Sequence, residues 1–475
     1  MKRTLCHLPR TSGFSLLTLL FSTISAACLS HATGAIYEIG PTHPLQKLAD
    51  VPWSTLAAGD QVLIHWSPEP YREKLLISAT GTPEKPVRIS GVAAPNGELP
   101  VLAGDQAITA VEVDFPGDNR AVIKIGAASS RPDAVPQHIL IENLEVSGAR
   151  PGNHFSRRDG TRAEFLDYAA AVWVQNGSGI TIRNCVLRDS ANGLLSSPGT
   201  HRLIIERCYF HSNGLPGRIH QHNTYTESLG ITFQFNRFGP LAGKSGGNAL
   251  KDRSAGTVVR YNWIEGGSRL LDLVDSAVPE IQNDPSYGRT HVYGNVLLKQ
   301  DDGLNNQICQ YGGDTGDAAG HRRGTLLFYH NTVVSWRPDA TVLFRAAASG
   351  AHLRVWNNIF HSVPARGRIA IIAGAANITI ENNWLKTGWK ATLESGAVNL
   401  QTGATNVSGL APDFTSLERK ELRPLSATVF PKAGTKPADL LGPDHEVTKE
   451  YQPHRQERPR RQISTAIVGA FEAPP

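Results

Sequence analysis

The chain has 475 residues, with 47 Lys and Arg against 42 Asp and Glu, five cysteines, one methionine and 45 glycines. That length allows one large repetitive domain or two or three ordinary ones, and either can bury a substantial core. The scarcity of methionine beside abundant Gly, Asn and β-branched residues argues against a helical protein.

Residues 1–32 read as a secretory signal. Lys2, Arg3 and Arg10 precede an apolar run from Phe14 to Cys28, and small residues lead to an expected cleavage near Ala32. The run is short for a membrane span, and no later stretch approaches ~20 uninterrupted apolar residues. The expected mature protein is soluble, secreted or periplasmic, and monomeric. It keeps 44 basic against 42 acidic side chains and three cysteines, Cys185, Cys208 and Cys309. An odd number of cysteines argues against a disulfide framework and against a cysteine zinc site.

Residues 33–130 are expected to hold an N-terminal cap, Ile36 to Trp53, and the opening coils, with Gly and Pro punctuating turns between Gly59 and Gly91. A repeat dominates residues 131–436. HILIENLEV from His138, GITIRNCVL from Gly179, GITFQFNRF from Gly230, GTVVRYNWI from Gly256 and NITIENNWL from Asn377 each join an alternating apolar strand to a second short strand through Asn. The asparagines are Asn184, Asn236, Asn262, Asn295, Asn331, Asn358 and Asn383, with Arg207 standing in after the first, at steps of about 23 to about 36 residues. Alternation puts one side chain inward and the next outward, and no helical pattern separates the strands. The fold expected is all-β, a right-handed parallel β-helix of about ten coils with an N-terminal cap and an irregular C-terminal tail. The asparagines are read as scaffold: Asn tolerates left-handed backbone at a sharp turn, and stacked Asn side chains hydrogen-bond in a ladder. Cys185 and Cys208 occupy the same point of successive coils, either as a disulfide or as stacked thiols. Asp413–Pro424 and the terminal IVGAFE read as the closing edge. Within residues 437–475, the Pro-rich charged stretch from Pro437 to Arg461 reads as an irregular or mobile arm.

The candidate site lies between His220 and Asp275. From Arg218 to Arg269 there are seven Lys and Arg against three acidic residues, as an acidic ligand requires. No sustained basic stripe suggests nucleic acid.

The coil pattern, the opening ISATGTPEKPVRISG and the closing GAFE resemble secreted bacterial parallel β-helix proteins of the pectate-lyase-like superfamily. The block NALKDRSAGTVVRYNWIEGGSRLLDL is similar to the core of polysaccharide lyase family 6, the alginate and chondroitin lyases. That resemblance puts the family's catalytic lysine on Arg253, with Lys251 two residues earlier. It finds no Arg in Leu271–Ser276, where the family has one, and Gly246, Gly247 and Asn248 where the family has calcium-binding Glu residues. The implied activity is β-elimination on an acidic polysaccharide.

Such chemistry needs a cation to neutralise the uronate carboxylate, a base for the C5 proton and an acid for the leaving oxygen. Arg253 or Arg260 is a candidate clamp, and Lys251, His220 or His222 a candidate base. Tyr225 is the candidate proton donor or relay. Arg269, Lys244, Asn223 and Asp272 are expected to bind substrate alongside Arg260. No cofactor is required; Glu227, Asp252, Asp272 and Asp275 are the residues available to hold Ca2+. Two rival readings stand beside this one. Asp301 and Asp302 resemble the carboxylate pair of glycoside hydrolases on the same scaffold. A non-catalytic carbohydrate-binding or surface solenoid would instead present exposed aromatic platforms; Trp173, Trp263, Trp336, Trp356 and Trp384 fall in the coil strands, where such residues more often pack than serve as sugar platforms.

Overall fold

The structure, a computed structural model, describes residues 34–475 except 303, 315, 317, 318, 347, 396, 427–440, 462–467 and 474–475. The expected leader lies outside the described residues. Strand accounts for 45% of the chain and helix for 4%, so the fold is all-β.

From Val87–Val92 through Arg368–Gly374, each coil visits three parallel sheets in one order. In a typical coil, Leu229–Gln234 lies in the first sheet, Arg237–Phe238 in the second and Leu250–Asp252 in the third, before Ala255–Arg260 opens the next coil in the first. The second sheet has eleven strands. The first and third merge into one of 22, because the long strands Ala170–Ser178 and Asn192–Glu206 run through both. The winding is a right-handed parallel β-helix. Period-two alternation drives it: in Ala255–Arg260 the residues Ala255, Thr257 and Val259 are buried while their neighbours are partly exposed. The inward set forms one continuous core from Ile39 to Leu385.

The turn between first and second sheets carries the asparagine ladder. Asn236, Asn262, Asn295, Asn331, Asn358, Asn383 and Asn406 each pass a side-chain carbonyl to the backbone N–H of the preceding coil's residue at 2.8–3.0 Å. Two details correct the sequence reading. The left-handed residue is the one before the ladder position: Asn143, Asn184, Arg207, Phe235, Tyr261, His330, Asn357 and Asn382 all have φ between 47° and 58°. Asn184 therefore belongs to that turn, and Cys185 and Cys208 fill the ladder position above Asn236 as buried free thiols. A bulky Phe or Tyr in left-handed backbone is costly, and the ladder bonds beside it hold it there. Asn295→Ala removes donors to Val259 O and Tyr293 O and the acceptor of Asn262 N. It is expected to cost about 3 kcal/mol or more in urea unfolding, since the groups left behind are buried.

At the N-terminal end Leu48, Val51, Trp53 and Leu56 join the core cluster, and the Trp53 indole nitrogen donates to Leu48 O at 2.7 Å. Nearby, Lys74 is buried among aromatic rings. Its Nζ lies 3.6 Å from the Phe155 centroid, 4.7 Å from Phe165 and 4.9 Å from Phe115, and donates to Asp118 O. Burial pulls the Lys74 ammonium down to about 7, with Asp118 opposing and Arg157 assisting. The native state therefore binds fewer protons than the unfolded chain from about pH 7 to the ordinary lysine value. Stability from this group is complete above that window, is lost progressively as pH falls through it, and the loss is complete by about pH 7. Lys74→Met is expected to raise the melting temperature at pH 6, with the gain over wild type shrinking towards pH 10; an unchanged or lower melt at pH 6 contradicts this account.

The C-terminal segment departs from the expected mobile arm. Of residues 437–461, those from 441 onward are described. Lys449–Gln452 pairs antiparallel with Gln456–Pro459, and Glu450 and Tyr451 are buried. With Phe414, Leu422, Val468 and Phe471, Tyr451 packs on Trp263, Val296, Leu298 and Trp384 of the second sheet. The apolar residues spaced among its charges fix the arm, which composition alone concealed. Trp173, Trp263, Trp356 and Trp384 are buried, so these four pack the coils and offer no exposed sugar platform. No helix among the described residues is long and apolar enough to cross a membrane.

Candidate active site

The site is built on the outward column of the third sheet. In-register pairing stacks Leu195, Tyr225, Lys251, Asp272 and Gln310 on successive coils, while Leu250, Leu271 and Leu273 beside them face the core. Strands about 4.8 Å apart bring each side chain against the next.

Lys251 Nζ donates to Asp272 Oδ2 and to Asp314 Oδ2, both at 2.7 Å. The same Asp314 oxygen accepts from Arg253 Nη2 at 2.8 Å. Arg253 Nε donates to the Tyr225 hydroxyl at 3.0 Å, and its Nη1 donates to Asp275 O. Thus one guanidinium holds a carboxylate and a phenol oxygen side by side, with an ammonium on the carboxylate's other flank. Burial pulls Arg253 down, but Tyr225, Asp314 and Asp275 outweigh it and hold the guanidinium above its ordinary value. Asp314 is pushed up by partial burial and, more strongly, held down by Lys251 and Arg253, so its carboxyl lies below the usual range.

Behind this front sits a supporting layer. Asn248 Nδ2 donates to Asp272 Oδ2 at 2.8 Å, and the Asn248 backbone N–H donates to His222 Nδ1 at 2.8 Å. His222 is buried, and burial first, then Lys251, drives its imidazole well below the ordinary histidine value. A neutral ring that accepts at Nδ1 carries its proton on Nε2. His222, one of three residues read from sequence as a candidate base, therefore has its Nδ1 lone pair already occupied by the Asn248 N–H. Its ring stands edge-on to Tyr225, centroids 5.7 Å apart. Glu227 accepts from Ser276 Oγ at 2.6 Å, and burial raises its carboxyl above the usual range.

The structure brings Tyr225, His222, Lys251, Arg253 and Asp272 together. Arg269 joins them loosely, Nη1 3.9 Å from Asp272 Oδ1 and Nε on Gln307 at 2.8 Å. His220 lies exposed just before the cluster. Three expectations are corrected. Arg260 is on the first sheet, bonded to Gln234 and the Tyr293 hydroxyl, so it faces another side of the coil. Asn223 is fully buried, donating to Gly239 O and accepting from Asn213, which makes it scaffold. Lys244 is exposed on the loop joining second to third sheet, outside this network.

The carboxylates expected to be available for Ca2+ do not converge. Asp252 takes Thr226, Ser254 and Thr257 hydroxyls, while Asp272 and Asp275 are ion-paired with Lys251 and Arg253. Lys251 and Arg253 already stand where a cation would balance these charges, so the set does not fit calcium. Asp301 and Asp302 are exposed, and Asp302 caps Leu304 N and lies 3.8 Å from Lys299. Sequence reasoning missed Asp314. Val274 pairs with Gly312, which sets Asp314 one residue beyond the Asp275 position of the next coil; only the register shows it.

No family model matches the chain, and no curated protein matches it. Among solved structures, the chain is similar to an alginate lyase from Paenibacillus sp. str. FPU-7, with TM-score 0.44 and 13% identity over 75% of this chain and 95% of that one. Pectate lyase Pel9A gives 0.44 and 13% over 93% and 97%. A GH136 lacto-N-biosidase from Eubacterium ramulus gives 0.42 and 12% over 80% and 68%.

Proposed function

We propose that the chain is a polysaccharide lyase that cleaves an acidic, uronate-containing polysaccharide by β-elimination. One observation carries this reading: the Asp314 carboxylate is gripped by Lys251 and Arg253 next to the Tyr225 hydroxyl on the same guanidinium. A uronate carboxylate that takes Asp314's place is neutralised by both cations, which acidifies the adjoining C5–H and sets that carbon beside the phenol oxygen. The Tyr225 oxygen, stabilised by the Arg253 N–H when it carries charge, removes the C5 proton. The C5–H electron pair becomes the C4–C5 double bond, the C4–O bond breaks, and the phenol returns the proton to the departing oxygen. Lys251 and Arg253 act as fixed positive charges. Asp272 and Asn248 position Lys251, and His222 supports Tyr225.

Incubation with a panel of uronate polysaccharides, read by the ultraviolet absorbance of an unsaturated uronate, tests the proposal. New reducing ends without that absorbance would establish a hydrolase instead, and binding without either product would establish a non-catalytic module. Asp314 competes with the substrate carboxylate in this scheme. Asp314→Asn is therefore expected to lower KM by about fivefold or more with little change in kcat, because only the ground-state competitor is weakened. A rise in KM would move Asp314 from competitor to substrate contact.

A further inference from the structure

The packed C-terminal hairpin encloses, together with the second sheet, a cleft of about 450 Å3. This lies within the roughly 300–1,000 Å3 range of small-ligand sites. It is on a different sheet from the Lys251 cluster, and nothing in the elimination chemistry uses it.

Aromatic groups supply part of its wall. The Trp263 and Tyr451 rings lie 6.0 Å apart, His454 meets Trp263 edge-on at 5.4 Å, and Phe471 also borders the space. Charge supplies the rest. Arg237, Arg419, Lys420, Arg423 and Arg458 line the cleft against Glu265, Glu421 and Glu450, an excess of two positive charges. The buried acids are already shared: Glu265 takes Arg237 at 3.1 Å and Lys420 at 2.7 Å, and Glu450 takes Arg423 at 2.6 Å and Arg458 at 3.2 Å. Two buried donors at the wall, Trp263 Nε1 and Arg237 Nε, have no acceptor among the described residues. Buried donors of this kind call for an oxygen that the protein does not supply. The exposed His454 ring, a positive surplus and unmet donors together match a short anionic saccharide, with an apolar sugar face for the imidazole and carboxylates for the guanidinia, while Trp263, Tyr451 and Phe471 are buried beneath.

We infer that this cleft is a second, non-catalytic binding site for an acidic saccharide of one to three residues, which anchors the polymer while the third-sheet site cleaves it. The choice of a uronate rests on the proposed function; the anionic, ring-bearing character of the ligand rests on the cleft alone. The test uses full-length Tyr225→Phe protein, to suppress turnover, and titrates it calorimetrically with galacturonate and mannuronate trisaccharides, with maltotriose as the neutral control. Two sites are expected for at least one acidic trisaccharide and none for maltotriose. Arg419→Ala/Arg458→Ala removes the surplus charge and leaves Arg423 on Glu450; it is expected to weaken one site tenfold or more and leave the other unchanged. Hydrogen exchange on protein without those two substitutions should show ligand-dependent protection across residues 449–459, which guards against misfolding of the double variant. Stoichiometry untouched by the double variant, or no protection of 449–459 by either acidic trisaccharide, overturns the inference. A hairpin site present in a protein that yields no unsaturated product leaves the inference standing and refutes the lyase. An active lyase without that site does the reverse.

Discussion

Tyr225→Phe is expected to lower kcat on a uronate polymer by about a thousandfold, while KM and the melting temperature stay close to wild type. The substitution deletes a single oxygen. The ring remains stacked in the column between Leu195 and Lys251 and edge-on to His222, so packing is kept. Arg253 loses one acceptor at 3.0 Å but retains Asp314 and the Asp275 carbonyl, so no charge is left unpaired. Because the substrate carboxylate is held by Lys251 and Arg253, binding does not depend on the phenol. A selective loss of kcat would locate proton transfer at this oxygen. A parallel loss in KM would make Tyr225 a binding group, and retained kcat would assign proton transfer elsewhere.

The coil architecture is legible in the sequence because its cause is local and periodic. Alternation within GTVVRYNWI sets which side chains face the core, and the recurring Asn marks each turn. The position of that turn was legible only to within one residue. Asn184 and Asn236 look equivalent in sequence, yet one sits in the left-handed position and the other in the ladder, where Cys185 and Cys208 take its place. The site was legible as a basic cluster but not as a network. Register aligns Tyr225, Lys251 and Asp272, which lie about 25 residues apart, and that alignment depends on loop lengths that carry no periodic signal. Asp314 lies further off still, 61 residues from Arg253. Arg260 illustrates the converse: close to Lys251 in sequence, it turns onto another sheet because two residues, Arg253 and Ser254, are enough to round the corner between strands.

The second large effect concerns Lys251, for which activity and stability are coupled. An outward lysine on an exposed strand would be removable at no structural cost, but this one neutralises Asp272, whose side chain is only 1% exposed. Lys251→Met is expected to abolish measurable turnover by removing half of the carboxylate clamp. It is also expected to cost about 3–5 kcal/mol of stability, because Asp272 is left buried with Asn248 and a distant Arg269 as its remaining partners. The two losses separate in the double variant Lys251→Met/Asp272→Asn. There the amide carries no charge and can still bond Asn248, so urea unfolding should recover to within about 1 kcal/mol of wild type. Turnover should not recover, since the clamp still lacks its ammonium. A double variant that regains activity along with stability would reduce Lys251 to a structural counter-ion, and the elimination chemistry would then have to rest on Arg253 alone. A single variant as stable as wild type would mean that the column relaxes to hydrate Asp272, and that the site is looser than its hydrogen bonds indicate.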